Sequence, residues 1–161
     1  INRAMIDVLV QAAAHPEVQY LHVTGKNEYE DVVQRLTQAG LDLEAVEHIK
    51  VRPYLYDMPK AMAVADLAVF RAGATGLAEL TARGIPSILV PYPYAAENHQ
   101  EHNARALEEA GAARMILNKE LTSERLSSVL AELLSEEDKL AAMAKASRQM
   151  GRLFRISLLN S

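Results

Sequence analysis

The residues Arg71-Ala-Gly-Ala-Thr-Gly-Leu-Ala-Glu-Leu80 follow directly on the apolar run Ala65–Phe70. Gly73 and Gly76 let a backbone come close to a ligand and take a positive φ. The helix that the pattern starts near Thr75 aims free N–H groups and a partial positive charge at the loop, which suits a phosphate or diphosphate. The loop is not a Walker loop, since no Gly-Lys-Ser/Thr follows, and it is not the dinucleotide fingerprint Gly-x-Gly-x-x-Gly. A plain strand-to-helix turn, with glycines for packing, explains the same residues equally well. Glu79 stands one helical turn further on. A carboxylate there can accept hydrogen bonds from both hydroxyls of a ribose. A solvated Glu near a helix N-terminus is the simpler account.

A second polar group lies in Pro91–Ala104, where His99, Gln100, His102 and Asn103 cluster at the start of a helix. Gln offers donors and acceptors together, which suits sugar hydroxyls. His99 and His102 are three apart on one face, but no third ligand has metal spacing, so no metal is expected. A His could act as a general base, yet no carboxylate is spaced to orient one. An ordinary polar helix N-terminus remains the alternative. A third stretch is "RPYLYDM", residues 52–58. Its backbone could read the edge of a base, with Leu55 or Tyr54 packed on it, or it could be an apolar loop plugging a sheet. Asp57, before Met58-Pro59, reads as an N-cap.

The elements that must position these loops alternate. Met5, Ile6, Leu9, Val10 and Ala13 recur at helical spacing, which predicts a helix over 2–14 that stops at His15-Pro16. Further helices are predicted over 27–40, 58–65, 75–83, 97–111, 122–135 and 136–151, with Gly40 and Gly84 just past two of the ends. Thr122-x-x-Arg125 is a variant capping signal. Strands are predicted over 18–25, 46–54, 66–70, 87–93 and 113–117. Strands alternating with helices imply an α/β fold, a doubly wound parallel sheet with helices on both faces. Such sheets bind ligands beyond the carboxyl ends of their strands. Those positions are Thr24–Gly25, Pro53–Asp57, Arg71–Gly76, Pro91–Gln100 and Asn118.

Composition narrows the partners. The 161 residues are 50% apolar and 24% charged, with a net charge of −4. That balance argues against nucleic acid, which wants a basic face. The chain has no Cys, so it holds no disulfide and no thiolate metal site. No apolar run approaches the ~20 residues of a membrane span, and no signal peptide is visible. The first residues, "INRAMIDVLVQAAA", begin inside a helical pattern with no strand before it, so the chain is expected to be a piece of something longer.

The segment "RAGATGLAELTARGIPSILVPYPYAAENHQEHNARALEEAGAA" (71–113), with "YLYDMPKAMAVADLAVF" before it, resembles the donor-binding domain of the MurG family. The resemblance runs over nearly the whole chain, and 120–161 fits the family's closing helices. It implies the GT-B architecture, two Rossmann-like domains facing across a cleft, with residues 1–161 forming the donor-side domain. The implied activity is inverting transfer of N-acetylglucosamine from UDP-N-acetylglucosamine to lipid I, giving lipid II for peptidoglycan. It implies peripheral attachment at the cytoplasmic face of the bacterial membrane, with no cofactor and no metal. The implied site has Leu55 where backbone holds the uracil. It has Ala74, Thr75, Gly76, Leu77, Ala78 and Glu79 around the diphosphate and ribose, with Glu79 on the ribose hydroxyls, and it counts Arg71 and Gly73 among the substrate-binding residues. Gln100 falls on the sugar hydroxyls, and His99 is its neighbour. The family's "GGSxGA" loop, which should precede the helix starting at Ile1, is absent. So is the acceptor domain with its proposed base and membrane-facing patch, so no turnover is expected from this chain alone. Two other functions fit the same residues: donor domain of another GT-B enzyme, for example one that glycosylates diacylglycerol, or a UDP-sugar-binding module without activity.

Overall fold

A computed structural model describes residues 1–159, with side chains through residue 153. The last two residues of the closing segment assigned by resemblance, 160 and 161, lie outside the described residues. The chain forms two compact units, residues 1–58 with 122–129, and residues 59–121 with 130–161.

The first unit holds α1 (Asn2–Ala12), β1 (Tyr20–Val23), α2 (Tyr29–Gln38) and β2 (Ile49–Arg52). Strands β1 and β2 pair in parallel, Tyr20 opposite Ile49 through Val23 opposite Arg52. The pairing continues one step at each end, with Tyr20 N–H donating to His48 O and Thr24 N–H to Arg52 O. The apolar face of α1 is buried through Ala4, Met5, Val8, Leu9 and Ala12, and that of α2 through Val32 and Leu36. Asn2 donates from Nδ2 to Thr24 O at 2.9 Å, which fixes the start of α1 against the end of β1. His22 is 8% exposed, and its Nε2 has no hydrogen-bond partner among the described residues. Burial pushes this imidazole down to about 4.

The second unit holds most of α3 (Met58–Val64), β3 (Ala68–Phe70), α4 (Ala74–Arg83), β4 (Ser87–Leu89), α5 (His99–Glu109), β5 (Ala113–Met115) and α7 (Glu137–Leu159). Helix α6 (Ser123–Ser135) begins in the first unit and ends in the second. Its first turn is capped by Thr122 Oγ1, which accepts from Arg125 N–H at 3.1 Å, as the capping signal predicts. The sheet order is β3-β4-β5, all parallel, with Ala68 opposite Ser87 and Ser87 opposite Ala113. The central strand β4 is buried along its whole length, as parallel strands covered on both faces are. Helices α2, α4 and α5 end alike. Gly40, Gly84 and Gly111 take φ of 91°, 67° and 79°. The residue after each glycine donates back to a carbonyl five residues earlier: Leu41 to Leu36, Ile85 to Leu80 and Ala112 to Leu107.

The alternating parallel α/β plan predicted from the sequence is the one observed, and its ladder pairing falls into the two sets given above. Strands are shorter than predicted. The strand in 87–93 ends at Leu89 with one further ladder bond, Val90 N–H to Phe70 O at 2.9 Å, and beyond it Pro91 and Pro93 lack the N–H a ladder needs. Helix α7 runs past 151, where the sequence predicts its end. Gly151 sits inside the helix because a Cβ there would stand 2.5 Å from Thr81 O, on the backbone of α4.

Candidate functional site

The carboxyl ends of β3, β4 and β5 lead into the loops that sequence reasoning singles out. Helix α4 opens at Ala74 with Gly73 as its N-cap, so no side chain caps it. Leu77 N–H, which donates to Gly73 O at 3.0 Å, is the first amide to find a helical acceptor. The amides of Ala74, Thr75 and Gly76 precede it and have no acceptor within the helix. Ala74, Thr75, Ala78 and Glu79 are exposed on this end, while Leu77 is buried and anchors the first turn. Glu79 has no hydrogen bond or ion pair within the described structure.

The glycines act differently from expectation. Neither Gly73 nor Gly76 has a positive φ; Gly73 is extended, at φ −70° and ψ 144°. A Cβ on Gly76 would rest 3.5 Å from the Phe70 ring, an ordinary contact. Gly73 matters for proximity, since a Cβ there would meet Gln100 Nε2 at 3.7 Å. The two loops therefore face each other at the start of α4 and of α5.

Gln100 is oriented from behind. Its Oε1 accepts from Tyr92 N–H at 2.9 Å, which leaves the Nε2 donors on the Gly73 side. Asn103 Nδ2 donates to Ala72 O at 3.3 Å, a second tie from α5 to the loop after β3. Arg71 spans all three strand ends. Its Nη1 donates to Val90 O and Pro91 O, each at 3.3 Å, and to Asn118 Oδ1 at 2.9 Å. Its guanidinium also lies 5.6 Å from the Tyr92 ring centroid. Asn118 and Tyr92 were not predicted as site residues. The signal for Asn118 was only its place after a strand.

His99 is exposed, and its Nε2 lies 3.4 Å from Glu97 Oε2. The sequence shows no carboxylate spaced to orient a His. The structure supplies one because Glu97 and Asn98 both adopt left-handed backbone, φ 51° and 58°, and turn Glu97 back onto His99. The carboxylate itself is 84% exposed, so the pair holds the imidazole weakly. His102 is exposed, and no group of three His, Cys, Asp or Glu among the described residues could hold a metal ion. Leu55 belongs to the first unit, half-buried in the turn after β2, between exposed Tyr54 and Tyr56. The rings of these tyrosines meet edge to face at 5.0 Å, and Lys26 Nζ lies 5.2 Å from the Tyr54 ring centroid. A cavity of about 560 Å³ opens at the other end of the second sheet, lined by Met62, Asp66, Arg83, Pro86, Leu140 and Arg148 among others. It contains none of the predicted site residues.

The uncapped start of α4 and the Gln100 amide thus bring unpaired donors to the two sides of Gly73, with the Glu79 carboxylate one turn into the helix. Residues 1–154 match the family Glycosyltransferase family 28 C-terminal domain. The chain belongs to that family. A curated relative from Desulforamulus reducens, named UDP-N-acetylglucosamine–N-acetylmuramyl-(pentapeptide) pyrophosphoryl-undecaprenol N-acetylglucosamine transferase, is 48% identical over 152 residues. One of the same name from Halothermothrix orenii is 49% identical over 152 residues. Each match covers 94% of this chain and 41% of the relative. A solved structure, Acinetobacter baumannii MurG, superposes with a TM-score of 0.71 at 30% identity, covering 91% of this chain and 41% of that one. The family 28 domain thus spans about two fifths of the length of these relatives, and its fold is the Rossmann-like α/β domain of GT-B glycosyltransferases.

Proposed function

We propose that the chain is the donor-binding domain of an inverting transferase that moves N-acetylglucosamine from UDP-N-acetylglucosamine to lipid I, giving lipid II. The observation that carries this reading is the meeting of two loops at Gly73: the uncapped amides of Ala74, Thr75 and Gly76 on one side and Gln100 Nε2 on the other. A diphosphate accepts from the first group and a sugar hydroxyl from the second. Glu79, with no partner of its own, accepts the two ribose hydroxyls. The turn carrying Leu55 is assigned to the uracil, and His99 to the sugar end beside Gln100. The relatives are named as N-acetylglucosamine transferases of UDP-N-acetylglucosamine and an N-acetylmuramyl-(pentapeptide) pyrophosphoryl-undecaprenol, which supports this reading.

The chemistry follows. An acceptor hydroxyl attacks the anomeric carbon from the face opposite the diphosphate, so configuration inverts. The glycosidic C–O bond to UDP breaks, and its electron pair goes to the diphosphate. The amides and dipole at the start of α4 stabilise that developing charge, a role fixed donors perform well because they need no reorganisation. The base that takes the hydroxyl proton belongs to the acceptor side of the longer enzyme. No helix among the described residues is long and apolar enough to cross a membrane. Peripheral attachment at the cytoplasmic face is the location proposed for the longer enzyme.

Glu79 gives the test. A carboxylate accepting two hydroxyls makes charge-assisted bonds worth roughly 1.5–3 kcal/mol. Calorimetric titration of UDP into the chain and into Glu79→Ala should therefore show about a tenfold or greater loss of affinity. Equal affinities would return Glu79 to a solvated helix residue and remove the ribose from this site.

A further inference from the structure

We propose that Arg71 and Asn118 form a positioning pair that sets the spacing between the two donor loops, with Asn118 as the anchor and Arg71 as the strut. This inference rests on the donor-domain reading above for its ligand, but not for its geometry.

The argument begins where the sheet stops. Leu89 O accepts from Ile116 N–H at 2.9 Å, so the β4–β5 ladder is intact to that point. Beyond it the chain after β4 turns away through Pro91 and Pro93, and the chain after β5 coils into a turn at Asn118–Glu120. The carbonyls of Val90 and Pro91 point out past the ladder's end. Arg71, the first residue after β3, reaches both, and its Nη1 continues to Asn118 Oδ1. One guanidinium therefore replaces the missing ladder steps and binds three loops into one edge. Its face also carries the Tyr92 ring.

The next links are short. Tyr92 N–H is the group that orients Gln100. Arg71 itself is two residues before Gly73, the N-cap of α4. Arg71 thus grips the segment that aims the Gln100 amide while being covalently part of the segment that carries the α4 amides. It fixes how far apart those two sets of donors stand. A guanidinium suits this task, since its Nη1 meets the three oxygens while its delocalised plane lies against the Tyr92 ring, a contact a lysine ammonium makes less well. Asn118 is the acceptor that holds the fork from the β5 side.

Two ligands read the spacing differently. UDP-N-acetylglucosamine needs both donor sets at once, whereas UDP needs only the α4 set. Loosening the pair should therefore penalise the sugar nucleotide more than the nucleotide. If Arg71 instead holds a phosphate directly, Asn118 is dispensable and both ligands suffer equally when Arg71 changes.

The test has two arms on the same chain. In the first, without ligand, amide hydrogen exchange is followed at Tyr92 in the wild type, Asn118→Ala, Asn118→Asp and Arg71→Lys. Asn118→Ala and Arg71→Lys should speed Tyr92 exchange about tenfold, the effect of losing one hydrogen bond to a charged group. Asn118→Asp, which keeps an acceptor for the guanidinium, should stay near wild type, and amides within α7 should not change. Unaltered Tyr92 exchange in Asn118→Ala overturns the pair. In the second arm, UDP and UDP-N-acetylglucosamine are titrated into the same variants. Asn118→Ala should weaken the sugar nucleotide roughly three- to tenfold and UDP less, with Asn118→Asp restoring the difference. Equal losses for both ligands overturn the spacing role. If the wild-type chain binds neither ligand, the donor-domain reading fails, and the exchange arm still decides whether Arg71 and Asn118 position the loops.

Discussion

Gln100 has a structural task besides the sugar contact proposed for it. Its carbonyl oxygen accepts from Tyr92 N–H, which directs the Nε2 donors to the Gly73 side, where a hydroxyl can accept from them. Gln100→Ala should therefore loosen the loop slightly and also remove the sugar donor. UDP-N-acetylglucosamine should lose affinity several-fold more than UDP, and the gap to its 4-epimer, UDP-N-acetylgalactosamine, should narrow, because a site built to bond one hydroxyl rejects the analogue that misplaces it. One neutral bond is worth on the order of 1 kcal/mol, so thousand-fold effects are not expected; equal losses for UDP and the sugar nucleotide would show that Gln100 only shapes the loop. His22 supplies a different residue-scale prediction. Its folded pKa, about 4, lies below the usual 6.5 because burial disfavours the charged ring. Protonation then favours the unfolded chain. The stability tied to the neutral ring is fully present above pH 6.5 and is lost as pH falls toward 4. By pH 5 the loss should reach about 2 kcal/mol. Urea midpoints at pH 7 and pH 5 should differ for the wild type and differ much less in His22→Leu. An unchanged pH response in the variant would place the acid sensitivity elsewhere.

At the scale of elements, α4 and α7 cross in close backbone contact at Gly151. A Cβ at Gly151 would lie 2.5 Å from Thr81 O and 2.7 Å from Thr81 C, and backbone cannot swing aside as a side chain can. Gly151→Ala should force the helices apart and cost about 1–3 kcal/mol, the usual penalty for overpacking. A thermal melt several degrees below wild type is expected; an unchanged melt would mean the helices can slide without loss. This position also shows what the sequence could reveal. A glycine after a helical run reads as a helix end, and for Gly40, Gly84 and Gly111 that reading is right, because their φ values are positive. Gly151 gives the same local signal for another reason, the neighbour 70 positions earlier in the chain. The site divides in the same way. The loops at Arg71–Gly76 and Pro91–Gln100 were legible from strands that end in glycine or proline. The strut from Arg71 was not, since its acceptors are two backbone carbonyls and an Asn lying 19, 20 and 47 residues away. Glu97 beside His99 was hidden too: Asn98 is a residue type that takes left-handed backbone readily, but nothing in the sequence marks Glu97 for it.

For the molecule as a whole, a net charge of −4 means that no general positive field draws in a dianionic diphosphate. On the proposed reading, the diphosphate and the sugar are held by local donors beyond the carboxyl ends of β3 and β4 in the second unit. The direct test of that claim is a titration of the isotope-labelled chain with UDP-N-acetylglucosamine, followed through its amide chemical shifts. The account predicts saturable shifts, at one ligand per chain, of the backbone amides of Ala74, Thr75 and Gly76 and of the Gln100 side-chain NH₂, with chelator making no difference. The absence of saturable shifts at those four groups, with or without changes elsewhere, would contradict it.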